Sequence, residues 1–368
     1  MRRLVRQNIL SVKNYIPGKP IEEVRREEGL REVIKLASNE NCLGPSPRAL
    51  DAIRKNLKNI NRYPDSSSFY LRKKLARRLK VSEDSLIFGN GSDEIIGMAV
   101  RTFVNEGDEC IIAKPTFLIY EIVSQAQNAK VKLVPLTDDL RHDLKNMKRN
   151  VTEKTKIVFI ANPDNPTGTY VTKNELDEFL KGLPGGVIVF LDEAYFEFAD
   201  HGYKDYPNGL DYLERPGLII ARTFSKVYGL AGLRIGYGIS NPEVISYMEK
   251  TREPFNVNSL AQAAALAALD DRAFLKKTLV HVGREKRFLY AAFKKMGLGY
   301  VKSATNFIVA DVGQDSKAVF NKLLKAGVIV RDMKAWGFDS YIRVTIGTRK
   351  ENRKFVEALR KIVVSSKS

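Results

Sequence analysis

Short apolar runs alternate with longer amphipathic segments over the first two thirds of the chain. Each run has the length of a buried strand and is too short for a helix. Ahead of the first of these runs, Leu71, Leu75 and Leu79 recur at the spacing of one helix face and predict a helix over residues 69–79. Strands that alternate with helices predict a mostly parallel sheet covered by helices on its faces, which is an α/β fold. The runs are Leu86–Phe88, Cys110–Ala113, Ile157–Ile160, Val187–Leu191 and Leu218–Ala221.

The pattern changes after Gly238, where we expect the chain to leave the parallel sheet. Helices, one of them long and charged, are predicted between residues 242 and 295. Shorter strands and helices then alternate to the end, as in a smaller α+β domain. We therefore divide the chain into an N-terminal arm that completes the small domain (residues 1–40), a large domain (41–250) and a small C-terminal domain (251–368).

The charge of the chain raises the hypothesis of nucleic-acid binding, because 61 Lys and Arg against 43 Asp and Glu give a formal net charge of +18. The cations are spread over helical segments and interleaved with acids, as in RKENRKFVEALRKI. The sequence has no helix-turn-helix signature, zinc-ligand spacing or aromatic RNA-binding motif. A solvated charged surface is the favoured interpretation, and we expect no nucleic-acid partner.

The expected location is the cytoplasm. No window of the sequence approaches the ~18 uninterrupted apolar residues of a membrane helix, so we expect no membrane association. The basic N-terminus lacks the apolar core and cleavage site of a signal peptide. Cys42 and Cys110 lie far apart and in no metal-ligand spacing, which is typical of unpaired thiols in a reducing compartment. No metal site is predicted.

Polar residues follow the last of these runs. Lys226 comes just after Leu218–Ala221, in the segment RTFSK. Ligands of open α/β sheets bind at the carboxyl ends of strands, where desolvation lowers the pKa of an amine and makes it a usable nucleophile. A lysine that forms a Schiff base, with Thr223, Ser225 and Arg234 near enough to bind a phosphate, is what pyridoxal phosphate requires. The alternative is a solvated lysine in a surface loop.

Four other strand ends carry groups that suit the same cofactor. Gly89–Glu94 is a glycine-containing turn before a helix, hence either a phosphate cradle or an ordinary capped turn. Phe117 is expected either to stack on a planar cofactor or to pack in the core. Asn165 lies in a rigid Pro- and Gly-containing loop and is placed to donate to a ligand oxygen. Asp192 ends the most continuous strand, where a buried carboxylate requires a cation such as a pyridinium; a metal-binding or Walker-B-like Asp is the alternative, but the chain has no P-loop.

These motifs together resemble the fold-type-I pyridoxal-phosphate aminotransferases, and within them the histidinol-phosphate aminotransferase family. The resemblance covers nearly the whole chain. It implies a mostly parallel central sheet between helices, plus a smaller α+β domain. The motifs that carry it are LASNEN (36–41), GPSP (44–47), NRYPD (61–65), GNGSDEII (89–96), NPDNPTG (162–168), DEAY (192–195), TFSKVYGLAGLRIGY (223–237) and RVTIGTRKEN (343–352).

The resemblance also implies roles for single residues around pyridoxal phosphate. Lys226 is implied to form the Schiff base and to move the proton between the substrate and the cofactor, and Asp192 to pair with the pyridine nitrogen. Asn165 and Tyr195 are implied to hydrogen-bond the ring oxygen. The remaining cofactor contacts that the resemblance implies are Phe117 and Ala194 on the two ring faces, and Gly91, Ser92, Asp93, Thr223, Ser225 and Arg234 around the phosphate.

The substrate side is implied in the same way. Tyr63 would reach the phosphate from a neighbouring subunit, which implies a homodimer with shared active sites. Arg343 is implied to bind the α-carboxylate of glutamate or 2-oxoglutarate. Tyr15, Asn39 and Arg331 are implied for the phosphate end of the substrate. Arginines in or beside strands of a small domain also call for an anionic ligand or a carboxylate on chemical grounds.

Two positions depart from the family pattern, and neither is expected to touch the chemistry. Cys42 stands where Pro is frequent, and Asp164 where Asn is common. Three alternative functions stay open: an aromatic-amino-acid aminotransferase, a threonine-phosphate decarboxylase built on similar motifs, and a basic nucleic-acid-binding regulator on the same fold. The regulator would be expected to carry a separate DNA-binding domain, for which residues 1–35 are too short.

Overall fold

The fold is known from a computed structural model, which describes residues 2–364. Twelve strands lie within these residues, and each apolar run of the sequence forms part of one. The strands are β1 Ile34–Lys35, β2 Leu86–Gly89, β3 Glu109–Lys114, β4 Lys130–Pro135, β5 Thr155–Ala161, β6 Ile188–Asp192, β7 Leu218–Thr223, β8 Gly236–Ser240, β9 Phe307–Asp311, β10 Val328–Ile329, β11 Arg331–Asp332 and β12 Tyr341–Thr345.

Amphipathic segments between the strands form α-helices, and the first turn of several is capped by a polar side chain. Ser46, for example, accepts a hydrogen bond from the backbone N–H of Ala49 ahead of a helix that starts with Pro47, as the sequence predicts. The helices are α1 Ile21–Glu28, α2 Pro47–Asn56, α3 Phe69–Leu79, α4 Ser92–Phe103, α5 Ile119–Ala126, α6 Leu144–Arg149, α7 Lys173–Lys181, α8 Phe196–Gly202, α9 Pro242–Glu249, α10 Ser259–Ala268, α11 Arg272–Lys295, α12 Ser316–Lys325 and α13 Arg349–Val364.

The central sheet has seven strands in the order β2-β8-β7-β6-β5-β3-β4. Six of them run in one direction and β8 runs against its neighbours β2 and β7. Both faces are buried: Ile220 packs in the core on one side and its neighbour Ile219 in the core on the other. The predicted α/β fold with a mostly parallel sheet is therefore confirmed.

One expectation about this sheet is wrong. The chain does not leave the sheet at Gly238, because β8 continues to Ser240 between β2 and β7. The connection from β7 to β8, residues 224–235, holds a short 3₁₀ turn, Ala231–Leu233, and no α-helix. A parallel crossover is usually made by an α-helix, and without one the returning strand pairs antiparallel.

The other described strands form two smaller sheets. β11, β12 and β9 make an antiparallel sheet, and β1 pairs in parallel with β10. The pairing of Ile34 with Val328 ties the N-terminal segment to the C-terminal third. The division of the chain at residues 40 and 250 stays a prediction. Within residues 2–364, no helix is long and apolar enough to cross a lipid bilayer.

Candidate active site

A cavity of about 380 Å³ lies at the carboxyl ends of the parallel strands, where the sequence places its polar residues. Strands β2, β3, β5, β6 and β7 each deliver a segment to this edge of the sheet. All of the predicted site residues except Gly91 and Tyr63 line the cavity. They are Tyr15, Asn39, Ser92, Asp93, Phe117, Asn165, Asp192, Ala194, Tyr195, Thr223, Ser225, Lys226, Arg234, Arg331 and Arg343.

Lys226 reaches the cavity from a turn that follows β7. The turn is fixed by its own hydroxyls, because Thr223 Oγ1 accepts the backbone N–H of Ser225 at 3.1 Å and donates to Ser225 Oγ at 2.9 Å. The amine of Lys226 lies 5.5 Å from the centroid of the Tyr195 ring. A primary amine is thus held beside an aromatic wall, inside the cavity, by a turn that limits where it can move.

Asp192 is the buried carboxylate of the cavity and is only 5% exposed. Tyr120 Oη donates to Oδ2 at 2.6 Å, and the backbone N–H of Ala194 donates to Oδ1 at 3.0 Å. Burial nevertheless raises the pKa of Asp192 to about 6. No Lys, Arg or His within residues 2–364 forms an ion pair with it. A cation in the cavity would meet an unpaired carboxylate here.

The N-terminus of α4 provides an electropositive environment, in contrast to the carboxylate of Asp192. Gly91 precedes the helix and no side chain caps its first turn, so backbone N–H groups are available beside Ser92. Arg234 projects over this turn, with Nη2 3.0 Å from Asp93 Oδ2. The hydroxyls of Thr223 and Ser225 line the same cavity. This group of donors and one cation suits a phosphate.

Gly91 itself is packed against Arg234 and does not line the cavity. Its φ of +85° and ψ of 169° are open only to glycine, and a Cβ atom would lie 2.6 Å from Arg234 Nη2. We expect Gly91→Ala to cost about 1–3 kcal/mol of backbone strain and to displace the guanidinium, which weakens phosphate binding. Equilibrium binding of pyridoxal phosphate measures this. Gly97→Ala, inside the same helix and with only ordinary contacts, should leave affinity unchanged; equal affinity in both variants would contradict the assignment.

Two further arginines, Arg331 and Arg343, line the cavity. Arg343, 6% exposed, donates from Nη1 to Asn165 Oδ1 and from Nη2 to the carbonyl of Ala37 at 3.0 Å. Its Nε is buried and has no hydrogen-bond partner among the described residues, and burial lowers the pKa of Arg343 to about 10. Arg331 donates to the carbonyl of Ile16 at 2.7 Å. Both cations are placed to receive an anion that enters the cavity.

Asn39 lines the cavity and is almost fully buried. Its Nδ2 donates to Tyr195 Oη at 2.8 Å, and its backbone N–H donates to Thr345 Oγ1 at 2.9 Å. The left-handed backbone of Asn39 (φ 56°) aims the amide in this direction. The side chain thus orients the hydroxyl of Tyr195, which faces the cavity next to Lys226.

Among the lining residues that sequence reasoning missed are two large aromatic side chains, Tyr120 and Trp336. Tyr120 follows Phe117 by one helical turn, and a fully buried tyrosine needs a partner for its hydroxyl, which is Asp192 here. Trp336, the single tryptophan of the chain, donates from Nε1 to the carbonyl of Thr116 at 3.2 Å. Its ring centroid lies 5.1 Å from Cζ of Arg331. Neither contact has a local sequence signal, since each joins distant parts of the chain.

Tyr63 is placed away from the cavity of its own chain. It is 83% exposed and its ring stacks on Phe255, with 4.8 Å between centroids. Leu57, Ile60 and Phe69 are other large apolar side chains that are exposed in this part of the chain. A role of Tyr63 in a neighbour's cavity stays a prediction.

The polar groups of the cavity fit pyridoxal phosphate. The buried carboxylate of Asp192 lacks a cation, which the pyridinium nitrogen provides, and the free helix N-terminus with Arg234 suits the phosphate. Lys226 provides the amine for the aldehyde. Asn165 and Tyr195 are hydrogen-bonding groups at the cavity wall between these two ends. Each part of the cofactor thus has a group of matching chemistry.

Comparisons with known proteins agree with this fit. The sequence matches the family model described as aminotransferase class I and II over residues 31–359. It is 50% identical over 362 residues to a histidinol-phosphate aminotransferase of Moorella thermoacetica, covering 97% of this chain and 92% of that protein. A protein of Carboxydothermus hydrogenoformans named histidinol-phosphate aminotransferase 2 is 45% identical over 361 residues, 98% of this chain and 99% of its own length.

A solved structure shows the same fold. The crystal structure of histidinol-phosphate aminotransferase from Sinorhizobium meliloti in complex with pyridoxal-5′-phosphate superimposes with a TM-score of 0.90 at 30% identity. The match covers 99% of this chain and 98% of that chain. It therefore includes both the seven-stranded sheet and the C-terminal strands that carry the two arginines of the cavity.

Proposed function

Because this chain belongs to the aminotransferase class I and II family, we propose that it moves an amino group between L-histidinol phosphate and 2-oxoglutarate with pyridoxal phosphate as cofactor. The products would be imidazole-acetol phosphate and L-glutamate, in the synthesis of histidine. The single observation that carries the proposal is that one cavity brings together Lys226, Asp192 and two arginines. Neither arginine, Arg331 or Arg343, forms an ion pair with a carboxylate of the described residues.

The cofactor would be held at both ends. Asp192 would pair with the pyridine nitrogen, and the first turn of α4 with Ser225 and Arg234 would bind the phosphate. Phe117 and Ala194 line the cavity where the faces of the ring are proposed to lie. When bound, pyridoxal phosphate supplies a carbonyl that takes up the amino group and a ring that accepts electrons.

Lys226 would be the acid–base of the reaction. Its amine would take the proton from the carbon that bears the donor's amino group. It would then deliver that proton to the carbon of the cofactor that takes up the amino group. Asn165 and Tyr195 would donate to the ring oxygen, and Asn39 keeps the Tyr195 hydroxyl in place through a 2.8 Å hydrogen bond. The turn at Thr223 and Ser225 restricts the amine to this position.

Each of the two arginines would bind the anionic group of a different substrate. Arg343 is proposed to bind the α-carboxylate of glutamate or 2-oxoglutarate, since it lines the cavity and has no carboxylate partner among the described residues. Arg331, with Tyr15 beside it in the cavity, is proposed for the phosphate of histidinol phosphate. L-Histidinol phosphate carries no carboxylate, so the phosphate would be its main anionic anchor.

The experiment that tests this function compares amino transfer to 2-oxoglutarate from L-histidinol phosphate and from L-phenylalanine. We expect kcat/KM to favour the phosphorylated donor. We also expect Arg331→Ala to raise KM for it by about tenfold to a hundredfold, since a charge-assisted hydrogen bond is lost. Arg353→Ala, an exposed arginine of α13, serves as the control and should behave as wild type. Equal use of phenylalanine, or release of CO₂ from a phosphorylated amino acid, would contradict the proposal.

A homodimer with shared sites is part of the proposal, and the exposed ring of Tyr63 with its apolar neighbours supports it. We expect sedimentation equilibrium to give twice the 41.5 kDa of one chain. Tyr63→Phe should weaken cofactor binding, because a hydroxyl contact to the phosphate would be lost, whereas Tyr70→Phe should not. A fully active monomer would exclude shared sites. The proposed location is the cytoplasm, which the unpaired thiols Cys42 and Cys110 support.

A further inference from the structure

Asp164 lies in the loop that carries Asn165, is 1% exposed and does not line the cavity. Three side chains and one backbone N–H contact its carboxylate. Thr116 Oγ1 donates to Oδ1 at 2.5 Å, and His142 Nε2 lies 3.2 Å from the same atom. Thr167 donates to Oδ2 twice, from Oγ1 at 2.8 Å and from its backbone N–H at 3.1 Å. The acceptor capacity of an ionised carboxylate is used on both oxygens.

The hydroxyls of Thr116 and Thr167 and the imidazole of His142 can each donate or accept, so the backbone N–H of Thr167 is the one fixed donor of this set. A side chain without polar atoms at position 164 would leave that N–H and the two buried hydroxyls without their hydrogen-bond partner. The carboxylate therefore holds the loop through contacts that an apolar side chain cannot make.

The contacts of Asp164 reach the cavity from two directions. Asn165 is its direct neighbour in the chain, and the loop is closed by the backbone hydrogen bond from Gly168 to the Asp164 carbonyl at 2.9 Å. Thr116 precedes Phe117, and its own carbonyl accepts the N–H of Trp336 from the C-terminal part of the chain. The carboxylate thus fixes the segment after β3 relative to the segment after β5.

The charge of Asp164 also acts on Arg343. That guanidinium is buried beside Asn165 without an ion-paired carboxylate within residues 2–364, and burial lowers its pKa. The negative charge of Asp164 is one of the influences that counter this effect. Removing the charge leaves Arg343, the proposed carboxylate-binding group, less well supported as a cation.

We infer that Asp164 is a positioning residue whose buried carboxylate sets the places of Asn165 and Phe117 around the cofactor. The inference rests on the proposed cofactor site and not on the proposed substrate. A protein that binds no pyridoxal phosphate would refute the proposed function. A protein that binds the cofactor but prefers another amino donor would leave the role of Asp164 intact.

The test is Asp164→Ala, with two readouts that do not depend on turnover. We expect the dissociation constant for pyridoxal phosphate to rise by about tenfold, because Thr116 and Thr167 lose their shared hydrogen-bond partner and the loop is displaced. We also expect a shift in the pH at which the absorption of the bound cofactor changes, because the group that faces the ring oxygen has moved. Thr116→Val, which removes one donor and keeps the carboxylate, should shift both values less and in the same direction.

The matched control is Thr155→Val, at the other end of β5. Thr155 is buried and its hydroxyl accepts the backbone N–H of Thr152 at 2.8 Å, away from the loop that carries Asp164. This variant should lower the melting temperature and leave both cofactor readouts unchanged. Unchanged readouts in Asp164→Ala, or equal changes in Thr155→Val, would overturn the inference. If Asp164→Ala fails to fold, wild-type readouts in Thr116→Val would do so.

Discussion

Replacing Lys226 by alanine is expected to reduce the rate of amino transfer by about 10³–10⁵-fold, because one amine serves as both the cofactor's covalent partner and the acid–base. The side chain lines the cavity and makes little contact beyond the Tyr195 ring, so the fold should persist. The variant should still bind pyridoxal phosphate, loosely, through Asp192 and the phosphate donors. Turnover and cofactor binding, measured on the same preparation, separate the two roles.

The control for this prediction uses chemistry specific to an amine. Added methylamine should restore part of the activity of Lys226→Ala, since a small free amine can enter the space left by the side chain. Lys250→Ala, at the C-terminal end of α9 and outside the cavity, should be as active as wild type. Full activity of Lys226→Ala without added amine would remove this residue from the mechanism.

Replacing Asp192 by asparagine is expected to produce the second large loss, of about 10²–10⁴-fold in turnover. The carboxylate is buried and ends β6 at the floor of the cavity, so its charge is felt without much screening. An amide of the same shape offers the ring nitrogen no charge. Tyr120→Phe is the matched control, because it removes the 2.6 Å hydrogen bond to Oδ2 and keeps the charge. It should lower turnover far less. A comparable loss in both variants would assign the effect to packing.

The same residue predicts a pH dependence. Burial raises the pKa of Asp192 to about 6 in the protein without cofactor, so the carboxyl group is protonated below that pH. A cation that binds beside it must then displace a proton, and affinity for pyridoxal phosphate should decrease as the pH falls through about 6. The cofactor has titratable groups of its own, so the pH profile of affinity is compared with that of Asp192→Asn. In this variant the contribution of the Asp192 carboxyl group should be absent. Parallel pH profiles would contradict the assignment.

The strand ends were predictable because they depend on local pattern. An apolar run such as Val187–Leu191 can only be a buried strand, and parallel strands bring their carboxyl ends to one edge. Lys226, Asp192 and Asn165 therefore come together in the structure as their positions after three strands suggest. Arg331 and Arg343 were predicted from the family motifs and not from local pattern, because their approach to the cavity depends on how the C-terminal strands pack.

Long-range contacts were not predictable from local pattern. The hydrogen bond from Trp336 to the carbonyl of Thr116 joins residues 220 positions apart, and no periodicity encodes it. Asp164 was expected not to touch the chemistry, because sequence shows the departure from asparagine but not the long-range contacts that surround the carboxylate. The antiparallel β8 was missed for a similar reason: the sequence did not show that the connection after β7 forms no α-helix that could carry a parallel crossover.

The central claim is that this cavity takes the amino group of L-histidinol phosphate. The most direct test is a single half-reaction: the cofactor-loaded protein is mixed with L-histidinol phosphate and no oxo acid, and its absorption is followed. We predict rapid conversion from the pyridoxal to the pyridoxamine spectrum, with slow conversion by L-phenylalanine. Absorption that stays unchanged with histidinol phosphate, or that converts only with phenylalanine, would contradict the account.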